Sequence, residues 1–316
     1  MSGPPGSGGV HVTTQDLVAL EGRARDIAFL QRARSHQQLA GRMQSAMRGR
    51  GLTFEELREY LPGDDVRSID WRVTARTMRP VVRVYSEEKE RPAIVIADQR
   101  INMFFGSRRA MKSVTAAEAA ILAAWRILGS GDRVGGFVFN DEEIGEVKPH
   151  RSRNAVIALA SKIAAMNGSL QASYTGAPSP GALDRVLEKV AGIAHHDFLI
   201  VVASDFDGHG ETTRELLLQL SSANDVICLL IYDPFLLDLP KAGGIVVSGG
   251  SLQAELSFRQ AGVRQSIDKF ARDRGRELRD WQRQLGLPML PISTAEETAP
   301  QLRSLLEQSA WRQRRR

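Results

Sequence analysis

A single cysteine, Cys228, among 316 residues leaves no partner for an internal disulfide and fits a chain that works in a reducing, cytoplasmic compartment. It lies inside the apolar run Val226-Ile227-Cys228-Leu229-Leu230-Ile231 and so reads as a buried structural thiol. No apolar run approaches the roughly 18 residues that suggest a membrane span. The longest, Phe198 to Ala203 and Val226 to Tyr232, are strand-sized. The first nine residues are rich in Ser, Gly and Pro and lack a basic region followed by an apolar core, which argues against a secretory signal. Residues 1–12 are expected to form a disordered leader. Enzyme signatures are also missing: no serine in a nucleophile elbow, no His-Glu-x-x-His, and no clustered Cys and His ligands. Gly129-Ser130-Gly131 precedes a strand and lacks the Gly-Lys-Ser/Thr that completes a phosphate loop. Asp205-Phe206-Asp207-Gly208-His209 lacks the terminal Glu of a calcium loop and reads as a helix-capping turn. His195-His196-Asp197 reads as loop.

What the chain does contain is enough apolar residue for a sizeable core, with 42% hydrophobic and 25% charged. Its length allows one large domain, or one with an appendage. Residues 13–50 carry Leu17, Leu20, Ile27, Phe29, Leu30, Leu39 and Met43 at mostly helical spacing and are expected to form an N-terminal helix. Residues 51–92 read as a small β appendage, closed by the strand Pro80 to Tyr85. From 93 to 310, continuous apolar strands alternate with amphipathic helices, which predicts a doubly wound, mostly parallel α/β sheet covered on both faces. Gly244 to Ser248 reads as an edge strand, Glu255 to Leu285 as a long Arg-rich helix, and 311–316 as a basic tail. In such folds ligands bind beyond the carboxyl ends of the strands, where Asp98, Asp205 and Asp233 fall. The net charge of +5 is interleaved with acids rather than segregated, so a specific nucleic-acid partner is not expected.

The most informative segment runs from Phe54 to Trp71. It packs six carboxylates, two arginines and three aromatics around Pro62-Gly63. Proline presets one turn dihedral and glycine admits a positive φ, so these charges sit on a defined corner. One reading makes Arg58, Arg67, Asp70, Trp71 and Arg76 a salt-bridged corner with Trp71 as its apolar peg. The other makes Arg58, Tyr60, Asp64, Asp65, Arg67, Asp70, Trp71 and Arg76 a docking face, since Arg and Trp are favoured interface anchors. Two further readings remain open. A metal-dependent hydrolase would use Asp64, Asp65 and Asp70; a binder of nucleic acid or anionic membrane would use the Arg-rich helices and tail.

The string Leu57-Arg58-Glu59-Tyr60-x-Pro62-Gly63-Asp64-Asp65-x-Arg67-x-Ile69-Asp70-Trp71, with Ala75-Arg76 after it, closely resembles the signature of the bacterial DUF58 family. Ile94 to Phe139 resembles the von Willebrand factor A-like domain that this family carries. The resemblance implies a doubly wound fold and a non-catalytic adaptor, partner to a MoxR-type AAA+ ATPase and its client in chaperone-like maturation of other proteins. Von Willebrand A domains usually bind Mg²⁺ through Asp-x-Ser-x-Ser after the first strand, a later Thr, and an Asp after the fourth strand. Here Asp98 matches the first Asp and Asp205 the last, but the serine positions hold Arg100 and Asn102. The Thr position falls near Ala177, with Thr175 and Ser179 nearby. A guanidinium between two carboxylates supplies the charge a metal would supply and repels a divalent cation. The expectation is therefore a degenerate metal-site rim of Asp98, Arg100, Asn102, Thr175 and Asp205. No cofactor is expected, and Asp98, Asn102 and Asp205 are the weak candidates for a retained Mg²⁺.

Overall fold

The computed structural model describes residues 9–27, 52–87, 90–173, 176–236, 244–248, 253–257 and 261–313. In chain order the elements are α1 (Thr14–Ala19), α2 (Glu21–Ala24), β1 (Leu52–Glu59), α3 (Trp71–Thr77), β2 (Val81–Glu87), β3 (Pro92–Asp98), α4 (Lys112–Gly129), β4 (Arg133–Phe139), β5 (Ile144–His150), α5 (Arg153–Ser169) and α6 (Ala182–Ala191). Then follow β6 (Leu199–Ser204), α7 (Glu211–Ala223), β7 (Asp225–Tyr232), β8 (Gly244–Ser248), β9 (Gln253–Ser257), α8 (Ala261–Leu285), β10 (Met289–Ser293) and α9 (Thr298–Gln313). The chain divides into two compact units, one of Met1–Leu30 with Arg91–Arg316 and one of Gln31–Glu90.

The larger unit is built on a six-stranded sheet in the order β10-β7-β6-β3-β4-β5. All neighbouring pairs are parallel except the β4–β5 edge. Successive side chains of a strand face opposite sides, and both sides here are buried. Val95, Ala97, Val201, Ala203, Ile227 and Leu229 enter one core with α4, α5 and α9. Ile94, Ile96, Ile200, Val202, Val226 and Cys228 enter the other with α6 and α7. The sheet is doubly wound, as expected. Cys228 is fully buried, and burial pushes its thiol up to about 12. At the β5 edge the register shifts opposite Gly135, where an added Cβ would sit 2.3 Å from the Val147 carbonyl oxygen and 2.5 Å from Pro149 N. Glycine permits that close approach, and Pro149 sits in a bulged edge strand, where a missing N–H is tolerated.

Several expectations need correction. The leader expected over 1–12 is anchored from Gly9: Met111 N–H donates to the Gly9 carbonyl at 2.8 Å, and Val12 N–H donates to Asn167 Oδ1 at 2.9 Å. The helix expected over 13–50 begins as two short helices, α1 capped by a reciprocal Thr13–Asp16 box, and its remainder from residue 28 lies outside the described residues. Gly244–Ser248 pairs antiparallel with β9 instead of lying on the main sheet. The long helix starts at Ala261 rather than Glu255, because Gln253–Ser257 is that second strand. Of the tail expected over 311–316, residues to Gln313 continue α9, and 314–316 lie outside the described residues.

In the smaller unit, β1 and β2 form an antiparallel pair with a register shift between Phe54 and Glu56. A 3-10 turn at Val66–Ser68 and the helix α3 lie between them. The helix is an addition to the largely β expectation. Its sequence, WRVTART, has β-branched residues and no apolar period, so its caps supply the definition. Asp70 accepts from the N–H groups of Arg72 and Val73 at 3.0 and 3.2 Å. Met78 closes the C-terminus in the left-handed region at φ 56°, donating its N–H to the Thr74 carbonyl. That conformation favours glycine, and a methionine there is strained.

Candidate functional site

The sheet places β3 and β6 side by side, with chain connections leaving in opposite directions from them. This is the topological switch point, and the crevice beyond its carboxyl ends is where doubly wound folds hold ligands. Asp98 ends β3, and Ser204-Asp205 leaves β6. Arg100, 2% exposed, turns back onto Asp98. Its Nε donates to Asp98 Oδ1 at 3.0 Å and its Nη2 to Oδ2 at 2.7 Å, while Nη1 donates to the Asp207 carbonyl at 2.9 Å. Nη2 also lies 3.7 Å from Asp205 Oδ1, and the guanidinium sits 5.6 Å from the Phe139 ring centroid. Ser204 Oγ donates to Asp98 Oδ2 at 2.6 Å.

Asp205 is held from the other side. Lys112 Nζ donates to Oδ2 at 2.5 Å, Asn102 Nδ2 reaches both oxygens at 3.0 and 3.1 Å, and the Asp207 N–H reaches Oδ1 at 2.9 Å. Burial pushes the Asp205 carboxyl up, but the Lys112 and Arg100 charges and these hydrogen bonds outweigh it and hold the group below the usual carboxylate range. Burial likewise works against the Arg100 charge, and Asp98 foremost, with Asp205, reverses this so that the guanidinium stays protonated. The cluster is thus two buried carboxylates interleaved with two cations.

Neighbouring turns are tied down in the same manner. Asp141 accepts from Ile101 N–H at 2.6 Å and Ser179 N–H at 2.8 Å. Asp233 accepts from Ser107 Oγ at 2.6 Å and Thr294 Oγ1 at 2.5 Å; burial raises its carboxyl, and these bonds lower it further than burial raises it. The fully buried Gln99 accepts from Asn167 at 2.9 Å and donates to the Ser113 carbonyl at 3.0 Å, which links the anchored N-terminal segment to the turn that carries Arg100.

All four carboxylate oxygens of Asp98 and Asp205 already accept from internal donors, and Asn102 turns its amide NH₂ toward Asp205. Thr175 lies outside the described residues. The structure brings together Asp98, Arg100, Asn102 and Asp205 as the sequence suggested, and adds Lys112, Ser204 and the Asp207 carbonyl. Lys112 carried no signal of its own, since it is one of 42 lysines and arginines in the chain.

In the smaller unit the motif residues separate into two groups. Arg58 forks onto Asp64, Nη1 to Oδ2 at 2.7 Å and Nη2 to Oδ1 at 2.8 Å, and Asp64 also accepts from Leu61 N–H at 2.9 Å. Arg83 donates to Asp70 Oδ2 through Nε at 2.8 Å and lies 2.7 Å away through Nη2. Arg58 foremost holds the Asp64 carboxyl below its ordinary range, and Arg83 foremost does so for Asp70. Asp65 caps the 3-10 turn by accepting from Arg67 N–H at 2.9 Å. The three acids of a hydrolase reading therefore engage separate internal partners. Tyr60 is half-buried, its N–H donating to the Pro80 carbonyl at 2.8 Å. Arg67, Trp71 and Arg76 face outward, and Trp71 is 68% exposed.

Comparison with known proteins adds a family. Uncharacterized proteins of Mycobacterium tuberculosis and Mycobacterium bovis are 28% identical over 225 residues, covering 71% of this chain and 67% of theirs. The crystal structure of a conserved hypothetical protein BatB from Bacteroides thetaiotaomicron covers 70% of this chain and 98% of its own at 14% identity, with a TM-score of 0.38. The model of the family described as "Protein of unknown function DUF58" matches residues 56–277, and the chain belongs to that family.

Proposed function

We propose that this protein is a non-catalytic adaptor that holds a MoxR-type AAA+ ATPase, and through it a client protein. The observation that carries the reading is Trp71, 68% exposed beside a corner whose neighbouring charges are locked into the Arg58–Asp64 and Arg83–Asp70 pairs. An exposed tryptophan on a rigid scaffold suits binding, because little side-chain freedom is lost when a partner closes over it. The rim supports the same reading. Its acids are consumed by Arg100, Lys112 and Asn102, which leaves structure rather than chemistry at the switch point. No described helix is long and apolar enough to cross a membrane. We place the work in the cytoplasm, where one buried cysteine needs no oxidant.

The test is direct binding of the purified chain to the purified MoxR-type ATPase encoded in the same genome. Saturable binding is expected, and a flat response at every accessible concentration removes the adaptor reading. For the rim, the proposal is that Arg100 replaces the metal. Calorimetric titration of the wild-type protein with Mg²⁺ or Mn²⁺ is expected to give no binding heat. Tight binding that Asp98→Ala abolishes would overturn that replacement.

A further inference from the structure

Among the described residues, five of the eight large apolar side chains left exposed lie in the short smaller unit: Leu57, Leu61, Val66, Trp71 and Met78, the last 87% exposed. Contiguous exposed apolar surface on a soluble protein marks contact sites more often than isolated residues do. Helix α3 organises part of it. At about 3.6 residues per turn, Trp71 and Ala75 share one side, with Met78 just past its end, and Arg72 and Arg76 share the adjoining side. All five are exposed, whereas Thr74 faces inward, its hydroxyl accepting from Val81 N–H at 3.1 Å.

The charges have sorted themselves as well. Asp64, Asp70 and Glu59 are taken by Arg58, Arg83 and Arg79. Arg67, Arg72 and Arg76 have no carboxylate partner among the described residues. Arg72 and Arg76 stand four apart on a short helix, a like-charge spacing that weakens it. The strained Met78 at the C-cap adds to that cost. Neither feature favours folding, and both put recognition groups on one face.

We infer that the outer face of α3 is the docking surface, and that its occupant is an acidic protein surface which lays an apolar side chain against Trp71 and Met78 and carboxylates against Arg67, Arg72 and Arg76. The inference rests on the adaptor reading and assigns its residues. Arg58, Asp64, Asp70 and Arg83 are internal struts, and the contact is made by residues that flank them. A protein fits this face better than a polyanion does. Trp71 is one aromatic among aliphatic neighbours, which is no stacking platform for bases.

The experiment measures binding of the purified MoxR-type ATPase to immobilised wild-type chain, Trp71→Ser/Met78→Ser, Arg72→Glu/Arg76→Glu, and Leu218→Ser, an exposed apolar residue on α7 that serves as control. Near-UV circular dichroism confirms that each variant is folded. Loss of the two apolar anchors is expected to weaken binding about 30-fold, the scale of an interface hot spot. Charge reversal is expected to slow association about tenfold at low salt and to lose its effect as salt screens the strip. Leu218→Ser binds as wild type. Wild-type binding with every variant equally tight overturns the face and leaves the adaptor reading standing, whereas no wild-type binding overturns both. Quenching of Trp71 by a single-stranded oligonucleotide, sedimentation with phosphatidylserine vesicles, or self-association that Trp71→Ser abolishes would each replace the proposed occupant and overturn the inference.

Discussion

Arg100→Met is expected to lower the free energy of unfolding by about 4 kcal/mol, within the range for removing one partner of a buried ion pair. The side chain is 2% exposed and meets Asp98 in a fork whose closer contact is 2.7 Å. Its loss leaves a fully buried carboxylate with only Ser204 Oγ and the Arg100 backbone N–H as donors. The cost is that of an uncompensated charge, not of a missing contact. Asp98→Asn/Arg100→Met should therefore recover more than half of the loss, because the second change removes the stranded charge. Urea denaturation of the wild type, both single variants and the double variant closes the cycle. Additive single effects, or a loss below about 1 kcal/mol for Arg100→Met, would mean that the pair is solvated and that the rim is not organised around it.

The sheet was legible in the sequence for a simple reason. A strand buried on both faces must be apolar throughout, so Ala93–Ala97, Phe198–Ser204 and Val226–Tyr232 announced themselves without neighbours to interpret them. Asp98 and Asp205 were legible because each interrupts such a run at its carboxyl end. Lys112 was not, because only the fold lays the start of α4 beside the exit of β6, a separation of 93 residues. Helix α3 was missed because its definition comes from Asp70 and Met78 at the ends rather than from periodicity within it. The N-terminal pattern misled in the opposite way: apolar residues at helical spacing predicted one long element, while the capping box at Thr13 and the turn at Leu20 produce two short ones. In the motif, sequence could group the charges but could not pair them. Which arginines are struts and which are left over depends on cross-strand register, with Arg83 opposite Leu57 and Val82 opposite Arg58.

Lys112→Met should separate the roles of the two cations through pH. Lys112 Nζ lies 2.5 Å from Asp205 Oδ2, with side-chain exposures of 16% and 10%. Asp205 titrates below its unfolded value in the wild type, so its contribution to stability is present above the unfolded pKa and is lost as pH falls through the folded one. Removing Lys112 takes away the largest opposing influence on a carboxylate that burial alone would push up. At neutral pH the variant should be about 3 kcal/mol less stable than wild type, toward the lower end for a broken buried pair, since both groups retain some solvent. As pH falls and Asp205 takes up a proton, the stranded charge disappears and the two stability curves should converge. Denaturant midpoints measured from pH 7 down to about 3, below the unfolded Asp value, follow this directly. A gap that stays constant across the window would show that Lys112 acts by packing its methylene chain. A convergent gap would place it with Arg100 as a second internal cation of the rim.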